Sequence, residues 1–151
     1  SAASDVYKRQ AYTDPALRRK YTRMGFWVNI RLIRYPDVLL MAAESANEKG
    51  LMGEASGYLE QVRAHARGTL TNVLPKVESL DQSVLREAIR HERRVELGLE
   101  PDRFYDLVRW GIAQEVLQAA GKNYQPKNAL LPLPQTEIDK SNGVLIQNPD
   151  Y

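Results

Sequence analysis

Two carboxylates, Glu92 and Glu96, are one helical turn apart in the most charged part of the sequence. At that spacing they share a helix face, where they could act as a general acid and base or supply half of a two-metal site. A dimetal site of this kind needs a Glu-x-x-His companion, and the only histidines are His65 and His91. His91 follows Glu87 at the wrong spacing and on the same helix. We therefore predict no metal site, while acid–base catalysis stays open as an alternative.

The helical register places these carboxylates on a face that would normally be buried. Leu85, Ile89 and Leu99 share the face, at spacings built from three and four residues. Because an unpaired carboxylate in a core costs several kcal/mol, we favour a structural ion-pair network over an active site. The predicted members of this network are Glu44, Glu92, Glu96, Arg103, Asp106 and Arg109. The two glutamates are expected to be reached by Arg103 and Arg109.

Composition limits the function classes. The chain has 151 residues, of which 43% are hydrophobic and 26% charged, as in a folded globular protein. The net charge of +2 is too small to predict nucleic-acid binding. No cysteine is present, which excludes disulfides and thiolate chemistry within these residues. The longest apolar run, residues 38–43, is too short to cross a bilayer. We expect no catalytic residues and no cofactor.

The first ten residues differ from the rest of the chain, because they show neither helical nor strand periodicity. Residues 5–10 resemble the translation of a transposon end used in preparing sequencing libraries. We therefore expect residues 1–10 to be an adapter artefact, with a disordered terminus as the alternative. Residues 11–151 are then expected to be the C-terminal part of a longer protein whose gene was cut at its 5′ side.

A basic and aromatic stretch leads into the first predicted helix, and residues 15–36 contain no acid. Such a composition could form a platform for single-stranded nucleic acid. The alternation of apolar and polar residues over 28–32 instead favours a short extended segment whose arginines serve acids elsewhere in the fold. Flat aromatic side chains could also contact a sugar ring, and on that ground Trp27, Tyr21 and Tyr12 are the candidate ligand-binding residues.

The remaining pattern predicts an all-α fold. A first helix begins at Tyr35 and ends near Gly50, and a second covers residues 54–67. Their short connection predicts an antiparallel hairpin similar to tetratricopeptide packing. A third helix is capped by Asp81 and ends at Pro101, and a fourth runs from about 102 to 121 with a kink at 111. Prolines make the C-terminal segment irregular, with a short turn at residues 136–139.

Several segments together resemble the SusD/RagB family. Residues 33–44 (IRYPDVLLMAAE) are similar to its helix-opening motif, and residues 90–97 (RHERRVEL) with 102–111 (DRFYDLVRWG) to its second hallmark. Residues 128–135 (NALLPLPQ) and 147–151 (QNPDY) are similar to its closing segments. These motifs occur in the family's order. Two departures affect local turns: Pro101 followed by Asp102 replaces the usual Gly followed by a polar residue, and Asp150 replaces a usual Gly.

This resemblance implies a function that residue spacing does not reveal. Members are outer-membrane lipoproteins of Bacteroidota that lie on the external face, capture oligosaccharides or in some cases peptides, and act as a lid over a SusC-like TonB-dependent transporter. They bind nutrients such as starch and other polysaccharides for uptake and are not enzymes. Their ligand sites lie on loops, which here would be mostly in a missing N-terminal portion, together with the acylated cysteine that anchors the protein. A helical-repeat protein-interaction module without glycan binding is the alternative.

Overall fold

The computed structural model describes residues 32–70 and 72–151. The predicted artefact at residues 1–10 therefore lies outside the described residues. The helices are α1 (Tyr35–Glu48), α2 (Met52–Arg67), α3 (Gln82–Glu96), α4 (Asp102–Arg109), α5 (Ala113–Ala119) and α6 (Gln135–Lys140), with a 3-10 helix at Pro126–Ala129. No strand occurs in these two ranges, so the prediction of an all-α fold is confirmed. The chain divides into two compact units between Gly98 and Leu99.

In the first unit, α1 and α2 form the predicted hairpin. Gly50 has φ 78°, in the left-handed region that favours glycine. The Gly50 N–H donates to the Asn47 carbonyl at 3.0 Å, and the Leu51 N–H donates to the Ala46 carbonyl at 2.9 Å. These bonds form a Schellman motif, which satisfies the last carbonyls of α1 and turns the chain directly into α2.

The core of the first unit is formed by α1, α2 and α3. Its fully buried side chains include Leu40, Leu59, Leu85 and Ile89. Small residues allow the helices to approach closely, and the buried cluster consists of Leu39, Leu40, Ala43, Ala46, Ala55, Leu59, Val62, Leu85 and Ile89. The cluster follows the apolar stripes that the sequence predicts for these helices.

The ends of α3 agree only in part with the prediction. At its start Asp81 is the N-cap, and its side chain accepts from the N–H groups of Ser83 at 2.9 Å and Val84 at 3.0 Å. At its end the helix finishes at Glu96, whereas Pro101 was expected to terminate it. Pro101 instead precedes α4 with φ −75°, a value that its ring allows.

The second unit contains two short helices where one kinked helix was expected. Gly111 has φ 71°, and the N–H groups of Gly111 and Ile112 donate to the carbonyls of Val108 and Leu107. This Schellman motif ends α4 completely, so α5 begins as a separate helix. The buried cluster of this unit consists of Leu107, Ala113 and Tyr124.

The two closing segments of the chain bind each other. The Gln147 amide donates to the Leu133 carbonyl at 2.9 Å and accepts from the Leu133 N–H at 2.8 Å. Asn148 donates to the Leu131 carbonyl at 2.6 Å, and the Tyr151 hydroxyl donates to the Leu130 carbonyl at 3.0 Å. Since the prolines of the first segment have no N–H, these side chains take the place of a regular backbone ladder. The turn expected at residues 136–139 is part of α6.

Within the two described ranges, no helix combines the length and apolar composition that a membrane span requires.

Candidate functional site

One charged residue of the RHERRVEL motif on α3, Arg93, forms an ion pair with Asp37 at the start of α1. Arg93 Nη1 donates to Asp37 Oδ1 at 2.8 Å, and both residues are buried, at 5% and 8% exposure. Asp37 lies in the first turn of α1, where its negative charge also faces the positive end of the helix dipole. The ion pair with Arg93 adds a direct link between α1 and α3, which fixes the register of the two helices.

Glu96, at the last position of α3, is bound by Arg34. Arg34 Nη1 donates to Glu96 Oε1 at 2.9 Å, and its Nη2 donates to the Glu96 backbone carbonyl at 2.8 Å. A carboxylate at a helix C-terminus is opposed by the helix dipole, and the last carbonyls there lack helical partners. One guanidinium therefore relieves both problems, which explains how Glu96 can be buried at 7% exposure.

Glu92 is the most deeply buried carboxylate of the cluster, at 2% exposure. Its Oε2 accepts from Arg63 Nη1 of α2 at 2.7 Å. The same guanidinium donates to the Pro75 carbonyl through Nε at 3.2 Å and Nη2 at 2.9 Å. Arg63 thus links three parts of the first unit: its own helix α2, helix α3 and the α2–α3 connection.

These three pairs, Asp37–Arg93, Glu92–Arg63 and Glu96–Arg34, are here called the carboxylate clasp. Charge-assisted hydrogen bonds of this length are among the stronger ones in proteins. Each carboxylate is matched by a guanidinium, an arrangement that suits holding helices together. Within the described parts of the chain, no group of three or more His, Cys, Asp or Glu residues is placed to hold a metal ion.

The arginines of the clasp differ from those expected. The sequence assigned the partners of Glu92 and Glu96 to Arg103 and Arg109, whereas Arg63 and Arg34 fill this role. Arg34 ends the basic stretch whose arginines were expected to serve acids elsewhere in the fold, so a signal for it existed. No sequence signal distinguished Arg63 from other charged residues on the polar face of α2, because its selection depends on how α2 packs against α3.

Of the other predicted network members, Arg103, Asp106 and Arg109 lie on α4 and Glu44 lies on α1. Asp106 is buried at 5% exposure and pairs with Arg109 at 2.9 Å within α4. The guanidinium carbons of Arg109 and Arg103 lie 4.9 Å and 5.9 Å from the ring centroid of Trp110, within cation–π range. Glu44 is half-buried on α1.

The candidate ligand-binding residues Trp27, Tyr21 and Tyr12 lie outside the described residues. An open groove of about 400 Å³ is present on the first unit, between α2 and the connection that follows it. Its lining consists of Gly53, Ser56, Gly57, Glu60, Gln61, Ala64, Lys76 and Leu80. The groove lining has no aromatic side chain that could stack on a sugar ring. It is therefore not the aromatic sugar contact that the sequence analysis considered.

A solvent-exposed ion pair provides a contrast to the clasp. Arg86 Nε and Nη2 donate to the two carboxylate oxygens of Glu48 at 2.7 Å and 2.8 Å. The hydrogen bond from Arg86 lowers the pKa of Glu48, and the same contact raises the pKa of Arg86. About half of the Glu48 side chain is exposed, at 47%, so water screens this pair and it contributes little to stability.

The fold and the clasp together define a class: an all-helical protein whose hairpin is fastened to a third helix by buried arginine–carboxylate pairs. The chain belongs to the SusD family, whose model matches residues 12–151. The resemblance found in the sequence motifs is therefore confirmed.

Individual relatives agree with this assignment. SusD-like protein P25 of Formosa agariphila is 39% identical over 124 residues, which are 78% of this chain and 23% of that protein. SusD-like protein P2 of the same organism is 36% identical over 127 residues, covering 79% of this chain and 25% of the relative. A crystal structure of a SusD homolog from Bacteroides thetaiotaomicron matches with a TM-score of 0.72 at 30% identity, covering 87% of this chain and 30% of that one. The chain spans about a quarter of the length of the curated relatives it matches.

Proposed function

We propose that this chain is part of a protein that captures oligosaccharides at the outer surface of the outer membrane. The observation that carries the proposal is the family match over residues 12–151. In this family, capture precedes uptake, and the partner is a SusC-like TonB-dependent transporter over which the binding protein acts as a lid. The proposal includes peptides as ligands in place of oligosaccharides, because some family members bind peptides.

The proposed role is binding without catalysis. Glu92 and Glu96, the carboxylates considered as an acid–base pair, are each engaged by an arginine and nearly excluded from water. A general acid or base must reach a substrate proton directly or through one water. The burial and pairing of both groups therefore support a structural function for them.

We also propose where the chain belongs in the whole protein. Residues 11–151 would form the C-terminal part of a family-length protein, since the matched region covers only 23% to 30% of each relative's length. The ligand-binding loops and an N-terminal lipid anchor would lie in the preceding part. The protein would face the outside of the cell on the outer membrane.

Glycan-array binding and calorimetry with a family-length protein that contains this chain test the proposal. We expect oligosaccharide binding with no change in the glycan. If the protein binds no glycan or peptide but captures only a protein partner, the interaction-module alternative replaces this function. If the glycan is hydrolysed and Glu96→Gln abolishes that hydrolysis, the protein is an enzyme and the proposal is wrong.

The transporter is tested separately. Purification of the family-length protein from outer membranes in mild detergent should recover a TonB-dependent transporter in comparable amount. Recovery of the protein alone from the membrane fraction would contradict the proposed partner without affecting glycan binding.

A further inference from the structure

The connection between α2 and α3 is held in place in an unusual way. Within the described part of the chain, residues 72–80 make no backbone–backbone hydrogen bond to any other segment. Leu74 has φ 48°, a left-handed conformation that disfavours a branched side chain. Most side chains of this segment are exposed, although Val77 is partly buried against the core cluster. Its conformation must therefore depend on contacts other than a backbone ladder.

Side chains of α2 supply those contacts. Arg67 donates to the Leu74 carbonyl through Nε at 3.0 Å and Nη2 at 2.7 Å. Arg63 donates to the Pro75 carbonyl through Nε and Nη2, at 3.2 Å and 2.9 Å. Two guanidinium groups, one turn apart on α2, thus bind two consecutive carbonyl groups of the connection.

The hallmark carboxylate Glu92 controls the geometry of one of these groups. Arg63 uses Nη1 for Glu92 and the remaining donors, Nε and Nη2, for Pro75. A guanidinium is planar and its donors have fixed relative directions, so holding Nη1 fixes where the other two point. Glu92 is itself fixed by burial in α3.

We propose that residues 72–80 form a strap that can detach from α2 without unfolding the helices, and that Glu92 sets its attachment by orienting Arg63. In this device Arg63 and Arg67 bind the strap directly, and Glu92 is a positioning residue for Arg63. Lys76 and Leu80 of the strap line the groove along α2. Release of the strap therefore moves one wall of that groove while the buried cluster of α1, α2 and α3 stays packed.

Trypsin cleavage after Lys76, in the full 151-residue chain, measures strap release, because cleavage of a clamped segment follows the population of its open form. The decisive variant is Arg63→Lys, which keeps a positive charge for Glu92 and removes the forked bonds to Pro75. We expect cleavage at Lys76 to accelerate about tenfold or more relative to cleavage at Arg86 within α3. Glu137→Gln, which breaks the exposed Lys140–Glu137 pair on α6 and touches neither the strap nor Arg86, is the control and should leave this ratio unchanged.

A double-mutant cycle tests the role of Glu92. Glu92→Gln should also raise the ratio of Lys76 to Arg86 cleavage in the parent chain, and should have little further effect when Arg63→Lys is already present. An equal acceleration in both backgrounds would show that Glu92 acts on overall stability alone and would overturn the coupling. An unchanged ratio in Arg63→Lys, with helical circular dichroism retained, would overturn the attachment through Arg63 and with it the proposed control by Glu92. If Glu92→Gln fails to fold, the Arg63→Lys result still decides the latter point.

Discussion

At the scale of single residues, burial determines what a charge in this chain can do. Glu92 and Glu87 lie on the same helix, and both contact an arginine. The Glu92 side chain is 3% exposed, whereas that of Glu87 is 72% exposed. Water can replace the arginine at Glu87 but not at Glu92. The same type of ion pair is therefore expected to have very different effects on stability.

Glu92→Ala should lower the free energy of unfolding by about 3–5 kcal/mol, because it leaves the Arg63 guanidinium without its buried partner. Glu87→Ala, the matched control, should change it by less than about 0.5 kcal/mol. Urea denaturation followed by circular dichroism measures both. An unchanged unfolding midpoint for Glu92→Ala would refute the structural role of this carboxylate.

Leu99 shows the effect of backbone conformation at a single position. It has φ 69° and is 91% exposed, so it combines an unfavourable conformation with almost no packing. Leu99→Gly should stabilise the protein by up to about 1 kcal/mol, because relief of left-handed strain exceeds the entropy that glycine gains in the unfolded chain. Leu70, also exposed, is not among the positive-φ residues, and Leu70→Gly should be destabilising by about 0.5–1 kcal/mol. Thermal melting of both variants gives the signs, and a loss of stability in Leu99→Gly contradicts this account.

At the scale of elements, each end of α3 is fixed differently. At the N-terminus the Asp81 carboxylate binds orphan N–H groups, and at the C-terminus Arg34 binds both the side chain and the carbonyl of Glu96. The first device is local in sequence, and the second joins residues 62 positions apart. Capping therefore makes α3 a helix, while the clasp places it against α1.

Asp81→Ala should lower the melting temperature by a few degrees at neutral pH through loss of the N-cap. Hydrogen bonds from the Ser83 hydroxyl and from the N–H groups of Val84 and Ser83 lower the pKa of Asp81 below its ordinary value of 3.8. Because the pKa is lower in the folded state, the ionised carboxylate stabilises α3 at pH values above its unfolded-state pKa. This stabilisation is lost as the pH falls through the folded-state pKa. The difference between the parent chain and Asp81→Ala should therefore shrink at acid pH.

Asp81→Asn is the control for charge, because asparagine caps helices without titrating. Its difference from Asp81→Ala should change little over the same acid range. If the difference in melting temperature between the parent chain and Asp81→Ala stays constant down to pH 2, the charged carboxylate does not provide the cap.

At the scale of the whole molecule, the described residues form two sets of buried side chains, one within each unit. The cluster of the first unit lies entirely between Leu39 and Ile89, and that of the second lies between Leu107 and Tyr124. The carboxylate clasp also lies wholly within the first unit. The first unit thus contains its own core and its own buried charge partners.

A chain that ends at Gly98 should therefore keep α1, α2 and α3 and melt cooperatively, with a stability of no more than about 3–5 kcal/mol because its core is small. Circular dichroism against temperature tests this expectation. Leu59→Asp, which places a charge at a fully buried position, should abolish the transition and is the control. A gradual, noncooperative melt of the shortened chain would show that the first unit depends on residues beyond it.

Local signals in the sequence determined much of this protein. Some signals depend only on residues close by in the chain: the apolar stripes, the Asp81 cap and Gly50. They were therefore sufficient to predict the three main helices and the hairpin from the sequence alone. The motif order also identified the family. Helix ends were less well determined. Gly111 separates α4 from α5 because its left-handed conformation completes a Schellman motif. From the sequence, a glycine at this position was equally consistent with a kink in one continuous helix.

Only the tertiary structure decided which charges pair. The sequence showed that Glu92 and Glu96 needed partners, because burial without one is too unfavourable, but several arginines of equal charge were available. Arg63 and Arg34 are 29 and 62 positions away, and they were selected by the packing of α2 and of the segment before α1 against α3. Ion pairing depends on a separation of a few ångströms, which sequence spacing does not specify beyond one helical turn.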